Sequence, residues 1–486
     1  MSKSITFRKA AFINACSKYI NVILQIFISA VLARILSPTD YGIVAIIAVF
    51  TTFFTVLSNV GFGTAIIQNK SLNNSEINEI YSVTVYIAII TSIFFLLFSY
   101  PISIFYNNPV YIKLGSILAI SVFFNIANMV LNALLLREKK FMTIAFRTVI
   151  IYIVVSILTI GMALLGWKYY AISLQSVLTA FLTFGWNFAS TRPKMLIKPS
   201  LNSIRKIWKY SIFQFAHNIL DYFACNLDNL LIGKIMGVSN LGFYNKAYTL
   251  SVNLVGNISG VISPILHPML SEYQNDSRVL YKKYMQIHNF IGIIAGFITV
   301  CGFLASNEII LIVFGDKWEN TISCFRFLSI VIFPQMVNGC TGAVLQSLGK
   351  TNLLFKSTVI NTIITIISII VGVLSGSIKN VAIMVAIAYI FHYIVAQFIT
   401  VKYGFRLKLS AFISESKFNY FNILILFFSA LMYPWHISNI ILSIFLKFAY
   451  ICVIFCIFLI VTKQYTAITT ILKIPKVHKI SELSKI

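Results

Sequence analysis

The chain has very little charge and almost no acid. Of 486 residues only 10% are charged, and Asp and Glu together number 13. A soluble domain carries about 25% charged residues, so a water-soluble fold of this size is excluded. Zinc-type cysteine spacing is also missing, and the seven cysteines mostly lie inside apolar runs, which excludes a metal ribbon and a secreted disulfide framework. The basic N-terminus MSKSITFRKAAFINACSKYI runs into an apolar segment without a small-residue cleavage site, so the first helix is expected to stay. No DxD-type sugar-nucleotide site, Gly-rich phosphate loop or long polar segment is visible, which argues against a membrane polymerase or glycosyltransferase.

What is present is apolar. Hydrophobic residues make up 59% of the chain, and mean hydropathy is +0.89. About 20 apolar residues span a bilayer as a helix, and open sheet edges cannot face lipid. The expected fold is therefore an all-α polytopic membrane protein with about 14 transmembrane helices. The spans are read as 14–36, 41–67, 81–105, 114–136, 145–166, 169–190, 207–236, 241–270, 284–314, 323–347, 353–375, 380–401, 418–435 and 438–462.

The net charge of +25 could indicate nucleic acid, but its distribution indicates topology. The N-terminus, alternate loops and the C-terminus hold 29 of the 38 Lys and Arg residues; the opposite loops hold eight, and Lys447 lies inside the last span. The positive-inside rule then places both termini in the cytoplasm, with basic ends against membrane lipids and no nucleic acid partner. The five tryptophans, Trp167, Trp186, Trp208, Trp318 and Trp435, fall at span ends, where an interfacial belt is expected.

The chain repeats itself. ARILSPTDYGIV (33–44) aligns with GKIMGVSNLGFY (233–244), and NALLLREKKFMTIAFRTVI (132–150) with GAVLQSLGKTNLLFKSTVI (342–360). Two ordered matches at nearly equal offsets indicate duplicated six-helix halves: an N-lobe over 1–200 and a C-lobe over 201–405. Two further helices and a basic tail over 406–486 would be an appendage. Two pseudo-symmetric lobes around a central cavity form a recurrent transporter architecture.

Polar residues inside these spans are the candidate functional groups. A carboxylate at mid-bilayer costs roughly 2.5–3.5 kcal/mol on insertion scales and marks function by default. In span seven, Gln214, His217, Asp221 and Asp228 fall within about 60° on a helix, and Asn14, Ser17, Asn21 and Gln25 form the equivalent stripe in span one, with Lys18 at its edge. The two stripes are expected to face a common wet cavity. No cofactor is expected; Asp221, His217 and Asp228 are the candidates to carry a coupling H+ or Na+. Asp228 has a structural alternative, bonding to a neighbouring helix or pairing with Arg34 or Lys234. Lys18, Asn21, Gln25, Arg34, Lys234 and Lys246 are candidate contacts for an anionic headgroup, against the alternative that Lys18, Arg34 and Lys234 simply snorkel at helix ends. Glu308 reads as a helix-packing acid, and Lys447 as a cation facing a partner helix or a groove. Gly256, Gly260, Pro264 and Pro334 mark expected bends.

LARILSPTDYGIVAI with LSNVGFGTAIIQNK, and later DNLLIGKIMGVSNLGFYNKAYTL (228–250), PMLSEYQND (268–276) and FGDKWENTISCFRFLSI (314–330), resemble bacterial polysaccharide exporters of the oligosaccharide-flippase type. The colanic-acid- and teichuronic-acid-exporter branch is the most similar, within the multidrug/oligosaccharidyl-lipid/polysaccharide exporter superfamily. The resemblance spans roughly residues 5 to 400. It implies a V-shaped cavity between two lobes and a flippase that moves an undecaprenyl-pyrophosphate-linked oligosaccharide repeat unit from the cytoplasmic to the outer leaflet. That activity would serve export of O-antigen, capsule or exopolysaccharide from the bacterial cytoplasmic (inner) membrane, with a glycan polymerase and a chain-length regulator as further partners. The family motif covers Arg34, Pro38, Gly42, Asp228 and Gly233; no coupling role is carried to Asp221 by resemblance. The alternative function is a cation-coupled drug or small-solute antiporter of the same superfamily.

Overall fold

The computed structural model describes residues 7–58, 62–68, 72–197, 222, 226–253, 255–256, 270, 274, 276–435 and 437–464. Every regular element among them is helical, as a lipid-embedded backbone that must satisfy its own hydrogen bonds requires. In chain order the helices are α1 (Phe7–Ile35), α2 (Pro38–Ser58), α3 (Phe62–Gln68), α4 (Asn74–Phe105), α5 (Val110–Arg137), α6 (Phe141–Leu164) and α7 (Tyr169–Thr191). There follow a helical stretch at 226–231, a π-helical turn at Ile232–Met236, α8 (Val238–Tyr248), α9 (Ser277–Leu304), α10 (Ser306–Val313), α11 (Glu319–Leu328), α12 (Ile332–Asn338) and α13 (Thr341–Ser347). Last come α14 (Thr351–Leu374), α15 (Ile378–Phe398), α16 (Leu409–Leu431) and α17 (Ile440–Val461).

Nine stretches among the described residues are long and apolar enough to cross a membrane. Most of expected span seven and about half of span eight fall outside the described residues, Gly260 and Pro264 included. Boundaries shift elsewhere. The second expected span is helical over α2 and α3, on either side of residues 59–61, which lie outside the described residues. The ninth breaks at Ala305 between α9 and α10, and the tenth is a chain of short helices. Pro334 stands in the first turn of α12, just past a 3-10 turn at Ser329–Val331 that interrupts the helical path between α11 and α12, where a proline without an N–H leaves the preceding turn one hydrogen bond short.

Helix ends are set by local chemistry. Asn73 and Glu76 form a reciprocal capping box before α4, at 2.8 and 2.9 Å. Asp276 and Asn439 cap α9 and α17 by accepting from backbone N–H groups at 3.0–3.1 Å. Cys301, Cys324, Cys340, Cys452 and Cys456 are free thiols.

The chain divides into two compact units. The first comprises Met1–Leu250, Val313–Cys324 and Thr365–Val385; the second comprises Ser251–Ile312, Phe325–Ile364 and Ala386–Ile486. In the first unit α5 is the central helix, packed on α4 and α7, while α1 packs on α6 and α2 on α8. Gly115 lets α4 approach α5: a Cβ there would lie 2.2 Å from Ser99 Cβ. In the second unit α9 is central, packed against α12, α16 and α17. Its core gathers Tyr284, Met285, Ile291, Phe333, Val337 and Phe412. Large apolar side chains cover the outside of the bundles, for example Ile90, Leu97, Ile441 and Phe445, the surface lipid demands. Trp167, Trp186 and Trp435 are exposed, as a belt requires, but Trp318 is fully buried; it serves packing, not an interface.

Candidate functional site

In the first unit the two copies of the sequence repeat meet. Pro38 opens α2 and Val238 opens α8. A Cβ on Gly42 would lie 1.8 Å from the Val238 carbonyl oxygen, and a Cβ on Gly242 would lie 2.0 Å from the Pro38 carbonyl oxygen. The contact is reciprocal at an offset of 200 residues, a local two-fold that only glycine permits at both positions. Local hydrogen bonds hold each start. Asp40 Oδ2 accepts from the Ser37 N–H at 2.9 Å and the Ser37 hydroxyl at 2.6 Å. Asn240, its counterpart, donates to the Met236 carbonyl at 2.8 Å.

Lys246 on α8 points into this packing and is only 5% exposed. Its Nζ donates to Ser29 Oγ at 2.7 Å and lies 3.6 Å from the Tyr41 ring centroid, with Phe314 and Trp318 at 5.2 and 5.8 Å. Trp318 donates through Nε1 to the Ala33 carbonyl at 2.9 Å, which fixes the cage wall. Aromatic faces stabilise a desolvated ammonium by about 2 kcal/mol or more.

Asp228 is 3% exposed. It accepts from the Tyr244 hydroxyl at 2.9 Å and the Asn229 N–H at 2.7 Å. Its partner is thus a tyrosine one repeat motif further on, not Arg34 or Lys234. Lys234 is exposed, donates to the Phe105 carbonyl and lies 4.5 Å over that ring. Arg34 is exposed, and its carbonyl accepts from Lys317 at 3.3 Å. Nearby, Tyr106 donates to the Leu230 carbonyl at 3.2 Å; burial pushes its phenol up to about 12, so it stays a donor. Asn21 is half-buried and Gln25 exposed on α1. The Lys18 side chain, His217 and Asp221 lie outside the described residues. The structure therefore brings Lys246 and Asp228 into separate buried contacts and leaves Lys234, Arg34 and Gln25 at exposed positions.

Three polar groupings were not assembled by sequence reasoning. Ser121, Asn125, Asn128 and Asn132 line one face of α5 at 4-3-4 spacing and lead to Arg147 on α6 and Asn187 on α7. The spacing SVFFNIANMVLN was the available signal. In the second unit, the His288 ring lies 3.2 Å from the Tyr393 hydroxyl, which pairs with Tyr420 at 2.9 Å, while Tyr284 donates to Gln397. Glu308, on α10, pairs with Lys447 on α17 at 2.7 Å and accepts from Ser443 at 2.8 Å, joining two residues the sequence singled out separately. No cluster suited to a metal occurs among the described residues.

Among the described residues, long apolar helices with polar groups gathered inside them define a polytopic membrane protein, and the fold agrees. The structure of the lipid II flippase MurJ in an inward closed conformation covers 94% of this chain and all of that one, with a TM-score of 0.70 at 15% identity. The chain belongs to the polysaccharide biosynthesis protein family, whose model matches residues 31–323. Among curated relatives, the lipopolysaccharide biosynthesis protein WzxC of Escherichia coli K12 is 24% identical over 340 residues, 68% of each chain. The teichuronic acid biosynthesis protein TuaB of Bacillus subtilis is 22% identical over 395 residues, 80% of this chain and 81% of that one.

Proposed function

We propose that this protein is a flippase that moves a lipid-linked oligosaccharide, a sugar repeat unit on undecaprenyl pyrophosphate, from the cytoplasmic to the outer leaflet. The observation that carries the reading is the joining of a polysaccharide-biosynthesis family to a fold shared with a lipid flippase. A sugar-pyrophosphate headgroup is anionic and hydrated, so it needs a polar route while its isoprenyl tail stays in lipid. The candidate cations Lys18, Arg34 and Lys234 favour an anionic cargo over an organic cation, and therefore the flippase over a drug antiporter.

The two repeats, 1–200 and 201–405, act as lobes that rock to open the route to each leaflet in turn. Lys18, Asn21, Gln25, Arg34 and Lys234 contact the headgroup, and Lys246 joins them when α2 and α8 part. Asp221 with His217 carries a coupling H+ or Na+; Asp228, already bonded to Tyr244, holds its helix. The protein works in the bacterial cytoplasmic membrane with both termini inside, alongside a glycan polymerase and a chain-length regulator. It performs transport, not bond chemistry. Cells lacking it should accumulate lipid-linked repeat units shielded from membrane-impermeant reagents. Repeat units that reach the outer face at the normal rate in those cells would refute the assignment.

A further inference from the structure

Arg147 sits in the second turn of α6, 7% exposed, and has no counter-ion among the described residues. Its Nη1 donates to Asn187 Oδ1 on α7 and to Asn132 Oδ1 on α5 at 3.4 Å, and its Nη2 to Thr148 Oγ1 at 3.4 Å. Its Nε is buried without a partner among those residues. Asn187 in turn donates to Asn128 Oδ1 at 2.7 Å. Helices α5, α6 and α7 contain no Asp or Glu, and the one acid between them, Glu138, pairs at the surface with Lys140 at 2.6 Å. A buried cation without an anion is strongly unfavourable and inside a membrane protein marks function.

The surroundings point the same way. Because the Asn132 and Asn187 oxygens turn toward the guanidinium, the amide donors of Asn128 and Asn132 are left without a protein acceptor among the described residues. Asn125 is exposed near the middle of α5, about 18 Å from its C-terminal end at 1.5 Å per residue. It donates to Ser121 Oγ at 3.1 Å, so the stripe is a polar track from mid-span toward Arg147. The track offers donors and one positive charge.

We propose that Arg147, with Asn128 and Asn132, binds an oxyanion of the transported headgroup, either a phosphoryl group of the pyrophosphate linker or the carboxylate of an acidic sugar. The assignment rests on the flippase reading. The oxyanion takes Arg147 Nε and the asparagine amides, and supplies the counter-ion.

The test is binding to the full chain in nanodiscs, with undecaprenyl pyrophosphate, undecaprenol and free glucuronate as probes. Wild-type protein should prefer undecaprenyl pyrophosphate to undecaprenol by about tenfold or more, as expected for charge-assisted hydrogen bonds, if the linker is the ligand. If the sugar acid is the ligand, glucuronate should bind instead. Whichever probe binds, Arg147→Gln should abolish the preference, Arg147→Lys should restore part of it, and Arg137→Gln should leave it unchanged. If Arg147→Gln does not fold, the Asn128→Ala/Asn132→Ala pair should weaken the same binding several-fold. Wild-type preference retained in Arg147→Gln, or in the asparagine pair if that is the variant tested, would reduce the cluster to helix packing and overturn this site alone. A wild-type protein indifferent to all three probes would overturn both the site and the flippase reading.

Discussion

Gly42 and Gly242 show how one missing methyl group can hold two helices together. Each faces a backbone carbonyl at a distance no Cβ tolerates, so Gly42→Ala or Gly242→Ala should lower stability by about 1–3 kcal/mol through overpacking. Gly161→Ala and Gly185→Ala, with open space around them, should be neutral; thermal melting in detergent distinguishes the pairs. Lys246 yields a different expectation. Its cage is aromatic, and its hydrogen bond is to Ser29, so Lys246→Met should melt no lower than the parent, because replacing a buried, incompletely paired charge by an isostere is often neutral or better. A large drop in melting temperature would mean that the aromatic ring faces and Ser29 more than offset the cost of burying the charge. The sequence showed which positions were polar but not what they touch. Asp228 stood out as an intramembrane acid, yet its partner Tyr244 reads as one more aromatic. The walls around Lys246 come from positions 29, 41, 314 and 318, distant in sequence. Asn128, Asn132 and Asn187 were passed over because neutral amides do not raise the alarm a charge does.

At the level of elements, hydrophobic length found the order of the described long helices, with nine stretches apolar enough to cross a membrane, since a bilayer imposes its thickness on any spanning segment. It did not find the break at Ala305, because short helices joined end to end keep the composition of one long one; near Pro334 the proline itself was the signal. The attachment of α17 likewise depends on two residues 139 positions apart. Glu308→Gln or Lys447→Met alone should destabilise by a few kcal/mol, leaving one member of a buried pair without its partner. The double variant should recover most of the loss, and a melting-based double-mutant cycle measures the coupling. Additive losses would mean that α17 is held by its apolar contacts with Val300 and Leu426 instead.

For the whole molecule, the distribution of lysine and arginine makes a directional claim. In a cysteine-free background, Lys168→Cys should react with a membrane-impermeant maleimide in intact spheroplasts. Glu138→Cys should react only after lysis; the reverse pattern would invert the topology. The repeat was legible as an offset of 200 residues, and the Gly42–Gly242 contact gives it physical form. Which residues line the transport route was not, because that depends on how helices from distant parts of the chain face each other. The most direct measurement is leaflet-resolved movement of a fluorescent undecaprenyl-pyrophosphate oligosaccharide in vesicles reconstituted with the purified chain. The account predicts that label in the originating leaflet becomes accessible on the other side far faster with protein than in empty vesicles. Equal rates with and without protein would contradict it.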